Sequence, residues 1–243
     1  PDTVFLGEEM AAEQQAQLLA AGKPVWCLDP LDGTGNFACG IPYYCVSLAL
    51  LEAGQVELGL VYDPVRDECF SAARGAGAWL DSKPLQLVAS GLALKQSTAL
   101  VDFKRLEPAL ATRLVTETPY ASQRSFGSVA LDWCWLAAGR CHVYLHGRSN
   151  IWDYAAGNLI FAEAGGHSIS LDGQPVELHR NAVVCRPQID QLLLSIAIMI
   201  EHLNPPVQGA KDLLVFCGGL LAVDAEGDQN TDLRIRYPNP VQL

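Results

Sequence analysis

The sequence is poor in basic residues. Lys and Arg number 16 against 27 Asp and Glu, a formal net charge of −11, so neither nucleic acid nor an anionic membrane finds the positive footprint it needs. Long apolar runs are lacking too. The longest, around Leu192–Ile200 and Leu213–Val223, fall well short of the ~20 residues that span a bilayer. The five His form no cluster at zinc spacing and the eight Cys include no C-x-x-C pair, which excludes the common zinc modules and a thioredoxin-like redox motif. The chain opens at Pro1-Asp2 with no signal-peptide pattern, and internal repeats and low-complexity segments are absent from the sequence. Half of the residues are hydrophobic, enough to bury the core of one large domain or two small ones. Several Cys lie inside apolar runs such as Val25-Trp26-Cys27-Leu28, where Cys acts as a small hydrophobe. The expectation is a cytoplasmic protein with reduced thiols.

Along the chain, residues 9–21 are rich in helix formers and end at Gly22 and Pro24, a helix stop. Val25–Leu28 reads as a short buried strand broken by Asp29-Pro30 and by Asp32-Gly33. Tyr44–Leu51, Val56–Tyr62 and Cys69–Ala72 are β-rich runs separated by turn residues, as in an antiparallel meander. Helical spacing returns over Ser128–Ala138, stopped by Gly139, and over Asp153–Ala164, closed by Gly165-Gly166. Cys141–Leu145 and His167–Leu171 are strand candidates, and Leu192–Ile200 could form a terminal helix. Blocks of strand and helix with hairpins among them favour a layered α/β or α+β sandwich over a doubly wound sheet. The acidic, Pro-containing tail beyond lacks the ligand spacing of an EF-hand, and its Asp224–Asp228 segment reads as a solvated turn.

The chemistry concentrates in Trp26-Cys27-Leu28-Asp29-Pro30-Leu31-Asp32-Gly33-Thr34-Gly35-Asn36-Phe37. Two carboxylates three residues apart at the end of a buried strand can enter one cavity, stiffened by Pro30. Gly33 and Gly35 permit tight turns and close approach of an anion, and Thr34 adds a hydroxyl. Hard divalent cations prefer such oxygen donors. Glu8 and Glu9, after the run Phe5-Leu6-Gly7, stand at the head of a helix, and Asp153 stands at the head of another with Ala155-Ala156-Gly157 behind it. Helix capping explains these acids equally well, and capping is compatible with metal ligation.

Gly7-Glu8-Glu9, Asp29-Pro30-Leu31-Asp32-Gly33-Thr34 and Trp152-Asp153-x-Ala155-Ala156-Gly157 together resemble the motifs of the inositol monophosphatase family, in the same order and at similar spacing. The resemblance covers roughly residues 2 to 195. It implies a five-layer αβαβα sandwich, a homodimer, that hydrolyses a small phosphorylated alcohol with two or three Mg²⁺ ions. Carried over, it makes Glu8 a ligand of the first metal, Asp29 a bridge between two, Asp32 and Asp153 ligands of the second, and the Leu31 carbonyl a ligand of the first. Gly33 and Thr34 would hold phosphate through backbone amides, the Thr34 hydroxyl would orient the attacking water, and Glu9 would orient a metal ligand. Gly127-Ser128-Val129 matches a segment lining the alcohol side of the pocket.

Two departures bear on substrate and extent. Members that prefer inositol phosphate carry a Glu seven residues before the Asp of the Trp-Asp motif; that position is His146 here, in a basic loop of residues 146–150, and it is either a substrate contact or a surface residue. The family also has helices and a hairpin ahead of its Gly-Glu-Glu motif, a layer that the numbered chain lacks, and the reading is that this layer belongs to a longer natural chain. The expected organisation is a catalytic domain over residues 1–195, in two subregions of about 1–100 and 101–195, with a tail of unassigned role at 196–243. Histidinol phosphatase, nucleotide 3′-phosphatase and sugar bisphosphatase activities are the alternatives within the superfamily. An inactive metal-binding scaffold is the alternative from another class.

Overall fold

The computed structural model describes residues 3–88, 90–171, 176 and 181–186, all within one compact unit, residues 1–188. The proposed tail, the terminal helix at 192–200 and the turn at 224–228 lie outside the described residues.

Seven strands form the first sheet in chain order: β1 (Val4–Gly7), β2 (Val25–Asp32), β3 (Cys45–Glu52), β4 (Gln55–Asp63), β5 (Glu68–Ala73), β6 (Gly77–Leu80) and β7 (Lys83–Leu85). Only β1 and β2 pair in parallel; the rest is an antiparallel meander, as the spacing of β-rich runs requires. Ala53 and Gly54 both take positive φ, 50° and 77°, the two-residue turn whose twist suits a tight hairpin. The next turn is built by Asp63, wholly buried, whose Oδ1 accepts from the amides of Val65 and Arg66 at 2.9 and 3.1 Å. The helix expected over 9–21 is the shorter α1 (Ala12–Ala20), with no buried residue; strand β1 and a turn take up the residues before it.

The second sheet runs β11 (His167–Ser170), β12 (Asn181–Arg186), β10 (Val143–Ser149), β8 (Thr98–Asp102), β9 (Ser122–Arg124), with β8 parallel to both β9 and β10. Helix α2 (Thr34–Cys39) follows β2, α3 (Pro108–Thr116) follows β8, and α4 (Val129–Ala137) and α5 (Ile151–Glu163) complete the set. Both α4 and α5 touch strands of each sheet. They are therefore buried nearly all round, Trp133, Leu136, Ile160 and Phe161 having no exposed surface, as befits helices between two sheets. The fold is mixed α/β, with a sheet–helix–sheet centre. Across β1–β4 the registers Phe5↔Trp26, Trp26↔Leu50 and Leu50↔Leu58 line up a row of apolar residues on the sheet face away from α5, which packs on neighbouring Gly59.

Two glycines let α5 sit where it does. A Cβ on Gly59 in β4 would lie 2.8 Å from the Ala156 carbonyl, and one on Gly157 would lie 2.5 Å from Trp133 Cβ of α4. The small residues of Ala155-Ala156-Gly157 thus press α5 against a strand on one side and a helix on the other, and this packing fixes where Asp153 emerges.

The strand at 25–28 does not break at Asp29-Pro30. β2 continues to Asp32, and its pairing with β3 slips between Asp29↔Ser47 and Asp32↔Cys45. Proline has no N–H to lose from the ladder at such an irregularity, which is where strands tolerate it. The loop assigned to residues 146–150 is also mostly strand, because β10 begins at Val143 and runs through Ser149.

Candidate active site

The slip in β2 decides the geometry of the two aspartates. Strict alternation would send residues 29 and 32 to opposite faces. With one irregularity between them, both turn inward, Asp29 being 3% and Asp32 7% exposed. Asp153 joins them from the first turn of α5, also buried.

Each of the three carboxylates is held by one oxygen. Asp29 Oδ1 accepts from the Leu31 amide at 3.0 Å. Asp32 Oδ2 accepts from Ser128 Oγ and from the Ala130 amide, both at 2.7 Å, so the start of α4 clamps it. Asp153 Oδ2 accepts from the Asn150 amide at 2.8 Å, the capping role expected of an acid at that position. Among the described residues, Asp29 Oδ2, Asp32 Oδ1 and Asp153 Oδ1 have no hydrogen-bond donor.

Burial raises all three acids. Asp29 is pushed up to about 6, chiefly by burial and further by the charges of Glu8 and Asp153, against the Leu31 amide bond. Asp32 is pushed up to about 7, by burial first and then by Asp153 and Asp29, although Ser128 and Ala130 oppose the rise. Asp153 is raised by burial and less by Glu8, while the Asn150 amide, His146 and Arg105 pull it down. A buried cluster of oxygen donors that repel one another is the donor set a hard divalent cation takes. The fit lies in this chemistry. Among the described residues no three or more His, Cys, Asp or Glu are gathered closely enough to hold a metal ion as they stand, and Glu8 is exposed, in the turn after β1.

Beside the acids, Gly33 (φ 93°) precedes α2. A Cβ there would lie 3.0 Å from the Tyr43 carbonyl and 3.2 Å from Ser128 Cβ, so glycine is required both by conformation and by space. Thr34 Oγ1 donates to the Leu31 carbonyl at 2.9 Å. Glu9 and Gly127 are exposed and Val129 is half-buried. Ser128 is fully buried, its hydroxyl committed to Asp32. His146 is 1% exposed and is not a surface loop residue.

Asn36 stands in the sequence only as part of a Gly-Thr-Gly-Asn-Phe string. Its Nδ2 donates to the carbonyls of Tyr43 and Phe126, each at 2.7 Å, tying the turn after β2 to the start of β3 and to the segment before α4. A short amide inside a glycine-rich turn is the only available signal. Asp102 and Arg105, which gather around His146, carry none, because β8 and the single 3₁₀ turn of Phe103–Arg105 lie far from His146 in sequence.

A layered α/β fold that buries interacting aspartates from a strand end and a helix start beside Gly33 defines the class. Residues 1–200 match the inositol monophosphatase family, and the chain belongs to it. It is 38% identical over 158 residues to Nus factor SuhB of Pasteurella multocida, covering 61% of this chain and 57% of that protein. It is 33% identical over 214 residues to inositol monophosphatase 1 of Solanum lycopersicum, covering 84% and 77%. Among solved structures, the Staphylococcus aureus SaIMPase-II bound to inositol monophosphate is 27% identical with a TM-score of 0.69, covering 83% of this chain and 80% of that one. The chain thus spans about 57% of the length of the Pasteurella protein.

Proposed function

We propose that this protein is a Mg²⁺-dependent phosphomonoesterase that hydrolyses a small phosphorylated alcohol. The observation that carries the reading is the set of three buried aspartates, each tied by one oxygen and open at the other. Family membership and the relative solved with inositol monophosphate bound support the substrate class.

Glu8, Asp29, the Leu31 carbonyl, Asp32 and Asp153 would hold two or three Mg²⁺ ions. When bound, the cations supply charge beside the transferring phosphoryl group and make a nearby water more acidic. Gly33 and Thr34 would hold the phosphate oxygens through their backbone amides. Thr34 Oγ1 donates to the Leu31 carbonyl, so its own lone pairs are left to accept from the attacking water and orient it. Ser128 and the Ala130 amide keep Asp32 ionisable despite its burial. Glu9 orients its neighbour Glu8, and Gly127 and Val129 border the alcohol side. No Cys or His is needed as a nucleophile.

The reading extends to a homodimer in the cytoplasm. The described Cys residues 27, 39, 45, 69, 134 and 141 are free thiols, and among the described residues no helix is long and apolar enough to cross a membrane.

Phosphate release from a panel of monoesters, measured with Mg²⁺ and again with chelator, tests the activity. Release that depends on Mg²⁺ is expected. No release from any ester overturns the enzyme reading and favours a scaffold, and release that the chelator leaves intact overturns the Mg²⁺ dependence.

A further inference from the structure

His146 lies in β10 opposite Asp102 of the parallel strand β8. It is 1% exposed, and its Nε2 is buried without a hydrogen-bond partner. The Arg148 amide donates to Nδ1 at 3.3 Å, so Nδ1 is the acceptor and Nε2 carries the ring N–H. That N–H is aimed at Asp102 Oδ2, 3.5 Å away, just beyond hydrogen-bond length. Arg105 approaches the same oxygen from the solvent side, Nε to Oδ2 3.5 Å, and donates through Nη1 to the Arg148 carbonyl at 3.3 Å.

The backbone forces this arrangement. A Cβ on Gly147 would overlap the Arg105 carbonyl, so only glycine lets the turn after β8 lie directly on β10. Arg105 is exposed yet tethered at two points, and its Nη2 has no partner among the described residues. The Arg148 carbonyl that it holds lies two residues before Asn150, whose amide caps Asp153 at 2.8 Å. Lys104 and Arg148 are exposed on the same turn and strand, and Lys104 acts on Asp102 as well. A cationic corner therefore borders the aspartate cluster in a chain whose formal net charge is −11. Asp102, set behind Arg105 and shared with His146, neutralises only part of it.

We infer that Arg105 recognises a second anionic group, phosphate or carboxylate, on the alcohol half of the substrate, with Asp102 and His146 as positioning residues that hold the guanidinium at the edge of the site. This rests on the phosphomonoesterase reading and narrows it to esters whose leaving alcohol is itself charged. A planar guanidinium with a free N–H edge suits either anion, whereas a neutral polyol offers it no charge.

Three esters on one carbon skeleton test it with the full-length protein and Mg²⁺: glycerol 3-phosphate, 3-phosphoglycerate and glycerol 1,3-bisphosphate. The expected result is a kcat/KM about tenfold higher for one or both charged compounds, the better of the two naming the anion. Arg105→Gln should bring the three within about threefold, Arg105→Lys should keep part of the preference, and raising the salt from about 0.05 to 0.5 M should shrink it. His146→Leu should raise KM for the charged esters more than it lowers kcat, while His146→Gln, which keeps an N–H, should largely retain the preference. Hydrolysis of all three at equal kcat/KM, or a preference that survives Arg105→Gln, overturns this inference alone. No hydrolysis of any of them overturns it together with the phosphomonoesterase reading.

Discussion

Replacing Asp32 by Asn separates what the acidic cluster does for folding from what it does for chemistry. The amide oxygen of Asn can accept from Ser128 Oγ and the Ala130 amide as the carboxylate does. Its NH₂ then sits where the open oxygen was, next to two carboxylates that accept hydrogen bonds. In the metal-free protein the carboxyl of Asp32 is raised from 3.8 to about 7, worth about 4 kcal/mol at about 1.4 kcal/mol per pH unit. The sign follows from proton binding. A carboxyl raised on folding stabilises the fold fully below pH 3.8, and that contribution is lost as pH rises to 7. Asn carries no such penalty. Losing charge-assisted bonds from Ser128 and Ala130, and the sharing of repulsion with Asp29 and Asp153, reduce the gain, and about 2 kcal/mol is the expected net stabilisation at pH 8. Urea denaturation in chelator at pH 4, 6 and 8 reads it directly. The advantage of the Asp32→Asn variant should be small at pH 4, grow to pH 7 and then level off, while Mg²⁺-dependent phosphatase activity is lost. A variant less stable than the parent at pH 8, or a difference that ignores pH, would refute the electrostatic account of the cluster.

Mg²⁺ should raise the melting temperature of the unaltered protein more at pH 8 than at pH 5, since protons compete for Asp29 and Asp32, raised to about 6 and 7; equal shifts at both pH values would count against these ligands. Gly157→Val should destabilise the fold by about 3 kcal/mol, because even a Cβ meets Trp133 at 2.5 Å, and a denaturation midpoint equal to the parent's would show that α4 and α5 are not so tightly packed. Asn36→Ala removes two 2.7 Å bonds and should lower stability by about 2 kcal/mol and raise KM for phosphate esters. An unchanged KM in a folded variant would detach Asn36 from the site. Tyr43→Phe strips the 2.9 Å hydrogen bond from buried Asp132, whose carboxyl burial already holds far above its usual range. A loss of about 1–3 kcal/mol in urea denaturation is expected at pH 7; no loss would place water at Asp132.

The sequence by itself determined the local elements whose signals are local. Alternating apolar residues and paired turn residues specify β3, β4 and β5, and the glycines at 139 and 165 stop α4 and α5, because period and backbone freedom are properties of a few neighbouring residues. It also supplied the motif aspartates and, through them, the family. It could not show that β2 runs through Pro30, since the slip that turns Asp29 and Asp32 to the same face exists only against β3. Nor could it show that His146 is buried beside Asp102 and Arg105, that Ser128 spends its hydroxyl on Asp32, or that Asn36 joins three segments. Those facts depend on which strands become neighbours and how closely helices approach them, and residues some forty to a hundred apart meet only after the two sheets have closed over α4 and α5. The acids are written in the chain; their burial, their mutual repulsion and their open oxygens are products of the fold.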